Sequence, residues 1–510
     1  MTVVQLEQPA VIKAPNRPLI TVITMVATIM QVLDTTIANV ALPHMQGTLG
    51  ATQDQIAWVL TSYIVAAAIS TPITGWLASR FGRTRLFAVA LTGFTLASML
   101  CGAAVSLPQI VVFRILQGLF GAALVPLSQA ILLDSYPRSE AARAMGIFGM
   151  GVMIGPILGP VLGGYLTEEY SWRWCFYINV PLGIVATLGV LAFIPETVRI
   201  KDRKLDWYGF GFLSLTITCL QLVLDRGEQK GWFTSPEILT ESALCIFGLY
   251  MFVVHSATSA KSFFDMRIFR DSTFMLSTTI VSIIFVVYYG STALTPQMLQ
   301  GLFNYPVQTS GLIMAPRGIG MIIAITSLRW LYKLVSIRVI ICTGLIVTAI
   351  SLYMMSGWSL SVPSANIVVV GMLQGAGTGY IAIPMSTLAF ATLPTELRTE
   401  ASGFYNLLRN IGSAIGISVS SSQLIQYTQI NHARLSEFMT PFRHMASIPG
   451  LSGPAALQML NRSITQQATM VAYINVYWML GILCLAIMPI TFFLKSPKVA
   501  PATDHAVMAE

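Results

Sequence analysis

The chain has 510 residues, 55% of them hydrophobic and 10% charged, with a net charge of +8. Soluble domains carry about 25% charged residues, so this composition excludes a water-soluble fold. The basic residues sit in short loops between apolar runs, where they orient a membrane protein, and this argues against a nucleic-acid partner.

Apolar runs of roughly 20 residues recur along the chain, each long enough for a helix to cross a hydrocarbon core at about 1.5 Å per residue. A closed barrel would show alternating segments of about ten residues. The pattern therefore predicts an all-α polytopic membrane protein. Spans are expected near residues 19–41, 56–78, 86–104, 109–131, 143–166, 176–195, 207–225, 237–257, 274–299, 308–330, 337–356, 364–391, 401–427 and 473–494. The polar first 18 residues are followed by an apolar run with no small-residue cleavage site after it, so the first span is expected to be retained. With the N-terminus in the cytoplasm, most Lys and Arg fall on that side, which predicts that both termini are cytoplasmic. The six cysteines are scattered singly, nearly all within apolar runs, and read as small buried apolar residues; no metal site and no disulfide framework is expected.

In span one, Asp34 is the only acid deep inside the first half, and an intramembrane charge costs about 2.5–3.5 kcal/mol on insertion scales, so it must face a cavity or a partner. Arg114, within span four, would compensate it if the two spans bring them together; otherwise Asp34 only hydrogen-bonds its neighbours. Span five carries Gly151, Gly155, Gly159 and Gly163 at four-residue spacing, followed by Gly164. That smooth stripe admits another helix closely, while Pro156 and Pro160 favour a bend. It reads either as a static packing seam or as an interface that moves. Further on, Arg317 and Arg409 also lie inside spans. Tyr405, Asn406 and Arg409 share a helix face by spacing. These residues read as cavity lining or as structural pairs, with Tyr288, Tyr289, Gln297 and Phe404 as softer cavity candidates, since aromatic faces accept diverse or cationic ligands. GAGTGY at residues 375–380 imitates a nucleotide loop but follows no strand, so small-residue packing is the better reading.

RILQGLFGAALVPLSQAILLDSYP (residues 114–137) matches GMLQGAGTGYIAIPMSTLAFATLP (residues 371–394), pairing Gln117 with Gln374 and Pro137 with Pro394. A fainter match relates ALPHMQG (residues 41–47) to LTPQMLQG (residues 294–301). Two six-span halves with an unmatched pair between them follow. The expected organisation is a cytoplasmic tail (1–18), a six-helix bundle (19–195), a two-helix insertion with linkers (196–273), a second six-helix bundle (274–494) with a periplasmic loop at 429–472, and a cytoplasmic tail (495–510).

Parallel halves of this kind place a substrate site between them near the midplane. The motifs LDTTIANVALP (33–43), GWLASRFGRTR (75–85), RILQGLFGAA (114–123), GVMIGPILGPVLGG (151–164), WRWCFYINVPLG (172–183) and LDRGEQKGWF (224–233) occur in order. With them the chain resembles, over nearly its whole length, the fourteen-span drug:proton antiporter branch of the major facilitator superfamily, and within it the EmrB-type multidrug exporters. The resemblance implies a major facilitator fold of two six-helix bundles plus two additional central helices. It implies a secondary transporter, not an enzyme, exporting hydrophobic or amphipathic compounds from the inner membrane, with the proton as coupling ion and no cofactor. Asp34 would titrate while Arg114 stays charged; the alternative is a structural tether. Gln31, Thr35 and Gln117 join the expected substrate cavity. The span-five motif is assigned by the resemblance to antiporters, as a rocking interface that seals against ion leak. Gly75, Arg80, Gly82 and Arg83 resemble the superfamily's cytoplasmic gate, but Ser79 stands where the usual aspartate belongs. Arg80, Arg83 and Arg85 are instead expected to pair with Asp134 or simply to set topology.

In EmrB-type exporters of two-membrane bacteria the resemblance also implies a periplasmic EmrA-type adaptor and an outer-membrane channel. The loop at 429–472 would dock that adaptor or lie on the membrane surface. Other readings are a dedicated exporter of one fatty acid or metabolite, or a non-transporting membrane scaffold or sensor, although the chain has no soluble signalling domain.

Overall fold

The structure is a computed structural model that describes residues 16–56, 58–137, 140–196, 205–228, 230–259, 263–394, 397–437 and 454–494. Helices account for its regular structure, and there are no strands among the described residues. In chain order they are α1 (Arg17–Leu49), α2 (Gln53–Ile56), α3 (Trp58–Phe81), α4 (Arg83–Ala103), α5 (Leu107–Gly121), α6 (Leu124–Ser135), α7 (Ala141–Glu169), α8 (Trp174–Tyr177), α9 (Asn179–Phe193) and α10 (Trp207–Arg226). They continue with α11 (Pro236–Thr258), α12 (Met266–Arg270), α13 (Ser272–Gly301), α14 (Val307–Met314), α15 (Pro316–Leu334), α16 (Ile337–Ser356), α17 (Ser364–Ala391), α18 (Arg398–Glu437), α19 (Pro454–Ala486) and α20 (Met488–Thr491).

Local chemistry explains the punctuation. Proline occupies the first turn of α1, where its missing N–H costs nothing, and Gly50 closes the helix at φ 62°, its N–H donating to the Gln46 carbonyl. Asp206 and Asp271 cap α10 and α13 by accepting backbone N–H bonds. Span four is divided at Ala122 and Ala123, where Pro126 cannot donate to the carbonyl four residues back. By contrast α7 runs unbroken past Pro156 and Pro160, whose side chains lie outside the described residues.

Among the described residues, twelve helical stretches are long and apolar enough to cross a membrane. Outside that set lie α7, with 29 residues, and α18, with 40. Each exceeds the roughly 20 residues that a span requires, and each packs among the spans.

The neighbour scheme repeats between the halves. In the first, α1 lies against α7 and α9, α3 against α5, and α4 against α5 and α9. In the second, α13 lies against α18 and α19, α15 against α17, and α16 against α17 and α19. The contacts between halves repeat as well: α18 meets α3 and α6, while α7 meets α15 and α17. The duplication read from residues 114–137 and 371–394 is thus visible as two bundles of the same plan. The unmatched pair, α10 and α11, packs as a hairpin outside this frame, with α10 against α3 and α18. An ion pair of Arg226 with Glu237 ties one end of the hairpin, and His255 Nε2 lies 2.9 Å from Asp206 Oδ1 at the other.

The expected loop at 429–472 is largely helical instead. α18 continues to Glu437 and α19 begins at Pro454, with His432 Nε2 2.9 Å from Asn461 Oδ1 between the two. Forty residues make about 60 Å of helix, so α18 is about twice as long as a hydrocarbon core of about 30 Å requires. Residues 438–453, which join the two helices, lie outside the described set.

Candidate transport site

Asp34 lies at the meeting point of α1, α3, α5 and α9. Arg114 Nη1 donates to its Oδ2 at 2.7 Å, while Gln117 Nε2 and Asn179 Nδ2 donate to its Oδ1 at 2.8 and 3.0 Å. All four side chains belong to residues with 0% exposure. The guanidinium is held in turn by Gln117 Oε1 at 2.8 Å and by the Val59 carbonyl, which accepts from Nε at 3.0 Å. It lies over the Tyr63 ring at 4.2 Å. Asn179 also donates to Ser98 Oγ at 3.1 Å, bringing α4 into the network.

Chemically this is one carboxylate compensated by one permanent cation, with three donors shared between its two oxygens. Arg114 stays charged at any physiological pH, so only Asp34 can change the net charge here. A proton on Asp34 would leave the guanidinium uncompensated in a site where charge is expensive.

Gln117, expected in the substrate cavity, belongs to this network. Asn179, Ser98 and Tyr63 were not expected. Asn179 falls within the WRWCFYINVPLG motif, and its isolation among apolar residues was the available signal. Gln31 donates to Tyr63 Oη at 3.2 Å, at the edge of the network, and Thr35 bonds its own helix at Val32 O.

The span-five glycines face α1 within their own half. Gly155 abuts Val32 and Leu33, Gly159 abuts Thr36 and Ile37, and Gly163 abuts Ile37 and Val40. Thr36 Oγ1 donates to the Gly155 carbonyl at 3.1 Å. Gly164 is buried. The stripe is therefore the seam that fixes the turns of α1 on either side of Asp34. The contacts of α7 with the other half come from elsewhere: Gly149 faces Ile383 of α17, and Val161 faces Gly311 of α14.

At the loop between α3 and α4, Arg83 is paired with Asp134, and Arg85 Nε lies 3.5 Å from Glu196 Oε2. Arg80 is engaged as well. Gly82 turns the chain at φ 91°, a conformation suited to glycine, with Glu196 packed where a Cβ would stand. Ser79 Oγ donates to Trp76 O on its own helix at 2.8 Å, so it supplies no latch between helices. Gly75 is buried within α3. Glu196 was missed because it follows the sixth span and meets this loop only through folding.

The expected shared face of Tyr405, Asn406 and Arg409 is divided among three neighbours. Tyr405 packs on Phe390 of α17, with ring centroids 5.4 Å apart, while Arg409 lies 5.4 Å from the Phe285 ring of α13. Asn406 Nδ2 and Ser402 Oγ each donate to Gln129 Oε1 of α6 at 2.9 Å, joining the halves. Adjacent residues on a helix point about 100° apart, which separates Tyr405 from Asn406. Phe404, half-buried, packs against Phe264, Phe269 and Phe274 at 5.3, 5.1 and 6.2 Å. Tyr288 and Tyr289 meet edge to face on α13, and Gln297 is exposed about two turns beyond. Arg317 is buried, donating to Thr292 Oγ1 at 2.8 Å.

The bond across the halves predicts that Gln129→Leu, which keeps bulk but removes the acceptor, costs about 1–3 kcal/mol. Asn406 keeps only its own-helix bonds to Ser402 in that variant. The midpoint of thermal unfolding in detergent should fall; an unchanged midpoint would count against a stabilising contact.

Residues 24–417 match the family model described as Major Facilitator Superfamily. The chain belongs to this superfamily. It is accordingly a multi-pass membrane transporter rather than an enzyme. Among members of the superfamily, the multidrug export protein EmrB of Haemophilus influenzae is 33% identical over 94% of this chain and 96% of its own length. The fatty acid resistance protein FarB of Neisseria gonorrhoeae is 32% identical over 92% of this chain and 94% of its own. In fold, the chain resembles the human organic anion transporter MFSD10, at a TM-score of 0.60 and 13% identity, over 92% of this chain and 100% of that one.

Proposed function

We propose that the chain is a fourteen-span, proton-coupled antiporter of the inner membrane, with both termini cytoplasmic, that exports hydrophobic or amphipathic toxic compounds by alternating access. The observation that carries this reading is the buried Asp34–Arg114 pair, a titratable acid and a fixed cation held by four spans. Similarity to EmrB supports the multidrug substrate class. Moving one charge through 100 mV is worth about 2.3 kcal/mol, which at about 1.4 kcal/mol per tenfold sustains a gradient of roughly forty-fold.

α7 and α18 supply the two further spans in this reading. The helical pair formed by the ends of α18 and α19 is the docking element for a periplasmic adaptor that leads to an outer-membrane channel. A narrower reading, export of a fatty acid, is supported by the similarity to FarB, and a survey of resistance phenotypes separates the two.

The test is proton flux. Proteoliposomes of the full chain, loaded with a pH-sensitive dye, should change internal pH when an amphipathic drug is added. Equal traces with and without the drug would refute proton-coupled export.

A further inference from the structure

The two halves differ in how they neutralise a buried arginine. Gln117 and Gln374 are mates in the repeat, and both sit in buried polar clusters. In the first half, Gln117 joins Arg114 to a carboxylate. In the second, Gln374 donates to Ser291 Oγ at 2.8 Å, and Arg317 stands beside it, its carbonyl packed where a Cβ on Gly375 would be.

Arg317 is 6% exposed, yet among the described residues it has no carboxylate partner. Its Nη1 donates to Thr292 Oγ1 at 2.8 Å, Nη2 makes only a long 3.4 Å contact with Thr295 Oγ1, and the buried Nε donates to nothing. One edge of the guanidinium fork is therefore unspent. Arg409 likewise has no carboxylate among the described residues; its guanidinium lies over Phe285. Phe285, Tyr289 and Tyr288 make a continuous aromatic strip on α13 from Arg409 towards the turn that holds Arg317.

A buried cation with no carboxylate among the described residues, a guanidinium edge whose Nε has no partner and an aromatic strip nearby match an acidic head group on an apolar body. We infer that Arg317 is the head-group seat for an amphiphilic carboxylate, with Arg409 as a second cation along the strip. This deepens the export reading by naming a substrate class, anionic amphiphiles, and a residue that selects it. Because Asp34 and Arg114 already compensate each other, the second half brings an excess of positive charge that favours anions over cations.

The experiment measures binding of tritiated laurate to the full chain in phosphatidylcholine nanodiscs, with empty discs as background and dodecyltrimethylammonium as the cationic counterpart. Wild type should bind laurate and be displaced poorly by the cation. Arg317→Gln should weaken laurate binding about ten-fold or more, with Arg317→Lys keeping much of it. Unchanged binding in Arg317→Gln, loss in Arg317→Lys as deep as in Arg317→Gln, or equal displacement by the cation would each overturn the assignment. Binding needs neither gradient nor flux, so a failure of proton-coupled export would register separately, as flat pH traces beside intact laurate binding.

Discussion

Asp34→Asn should abolish drug-driven proton movement in proteoliposomes while leaving drug binding measurable. The asparagine keeps an oxygen for Gln117 and Asn179 but loses both the charge and the titration. It should also destabilise the fold, because removing one partner of a buried ion pair costs about 3–5 kcal/mol. That cost would confuse a simple activity assay, so the informative protein is the double variant Asp34→Asn/Arg114→Gln. With both charges gone, the unfolding midpoint should return most of the way to wild type, whereas proton coupling should stay absent. A structural tether would behave otherwise: restoring stability would restore transport. Drug-driven proton movement in the double variant would remove Asp34 from the coupling role.

The parts of this site that were legible in the sequence are those where chemistry is costly. A carboxylate and a guanidinium inside apolar runs must find each other or water, and Arg114 stands 2.7 Å from Asp34. Neutral polar residues carry no comparable signal. Asn179 and Ser98 complete the network, yet an amide or hydroxyl in a helix can turn to its own backbone, as Thr35 does at Val32 O. Only the packing of α4 and α9 against α1 decides between these fates.

Periodicity had a similar boundary. Four glycines at four-residue spacing announce a smooth face, but the spacing does not say which helix occupies it; the occupant is α1, not the opposite half. Conversely, the spacing of Tyr405, Asn406 and Arg409 suggested one shared face, and three different helices receive them. Apolar runs located twelve helices long and apolar enough to cross a membrane but underestimated the ends of α18 and α19. There the chain stays helical while becoming too polar to read as membrane, so helix and span part company.

The seam between α1 and α7 yields the second large effect, because the same small change has different consequences about one turn apart. At Gly151 an added methyl would meet the terminal Cε of Met25, which can swing aside. At Gly155 it would meet Val32 Cγ1 at 2.6 Å and the Leu33 backbone nitrogen at 2.9 Å. A side chain can yield, but the backbone at Leu33 cannot move without carrying Asp34, the next residue, with it. Gly155→Ala is thus expected to cost about 1–3 kcal/mol from overpacking and to lower the rate of proton-coupled transport further than stability alone explains. Gly151→Ala should leave both near wild type. Adding Val32→Ala to Gly155→Ala should recover only part of the loss, since the clash with Leu33 N remains. Thermal midpoints in detergent and flux in proteoliposomes check all three. Full rescue by Val32→Ala would locate the constraint in a side chain rather than in the position of α1, and the claim that this seam aims Asp34 would fall.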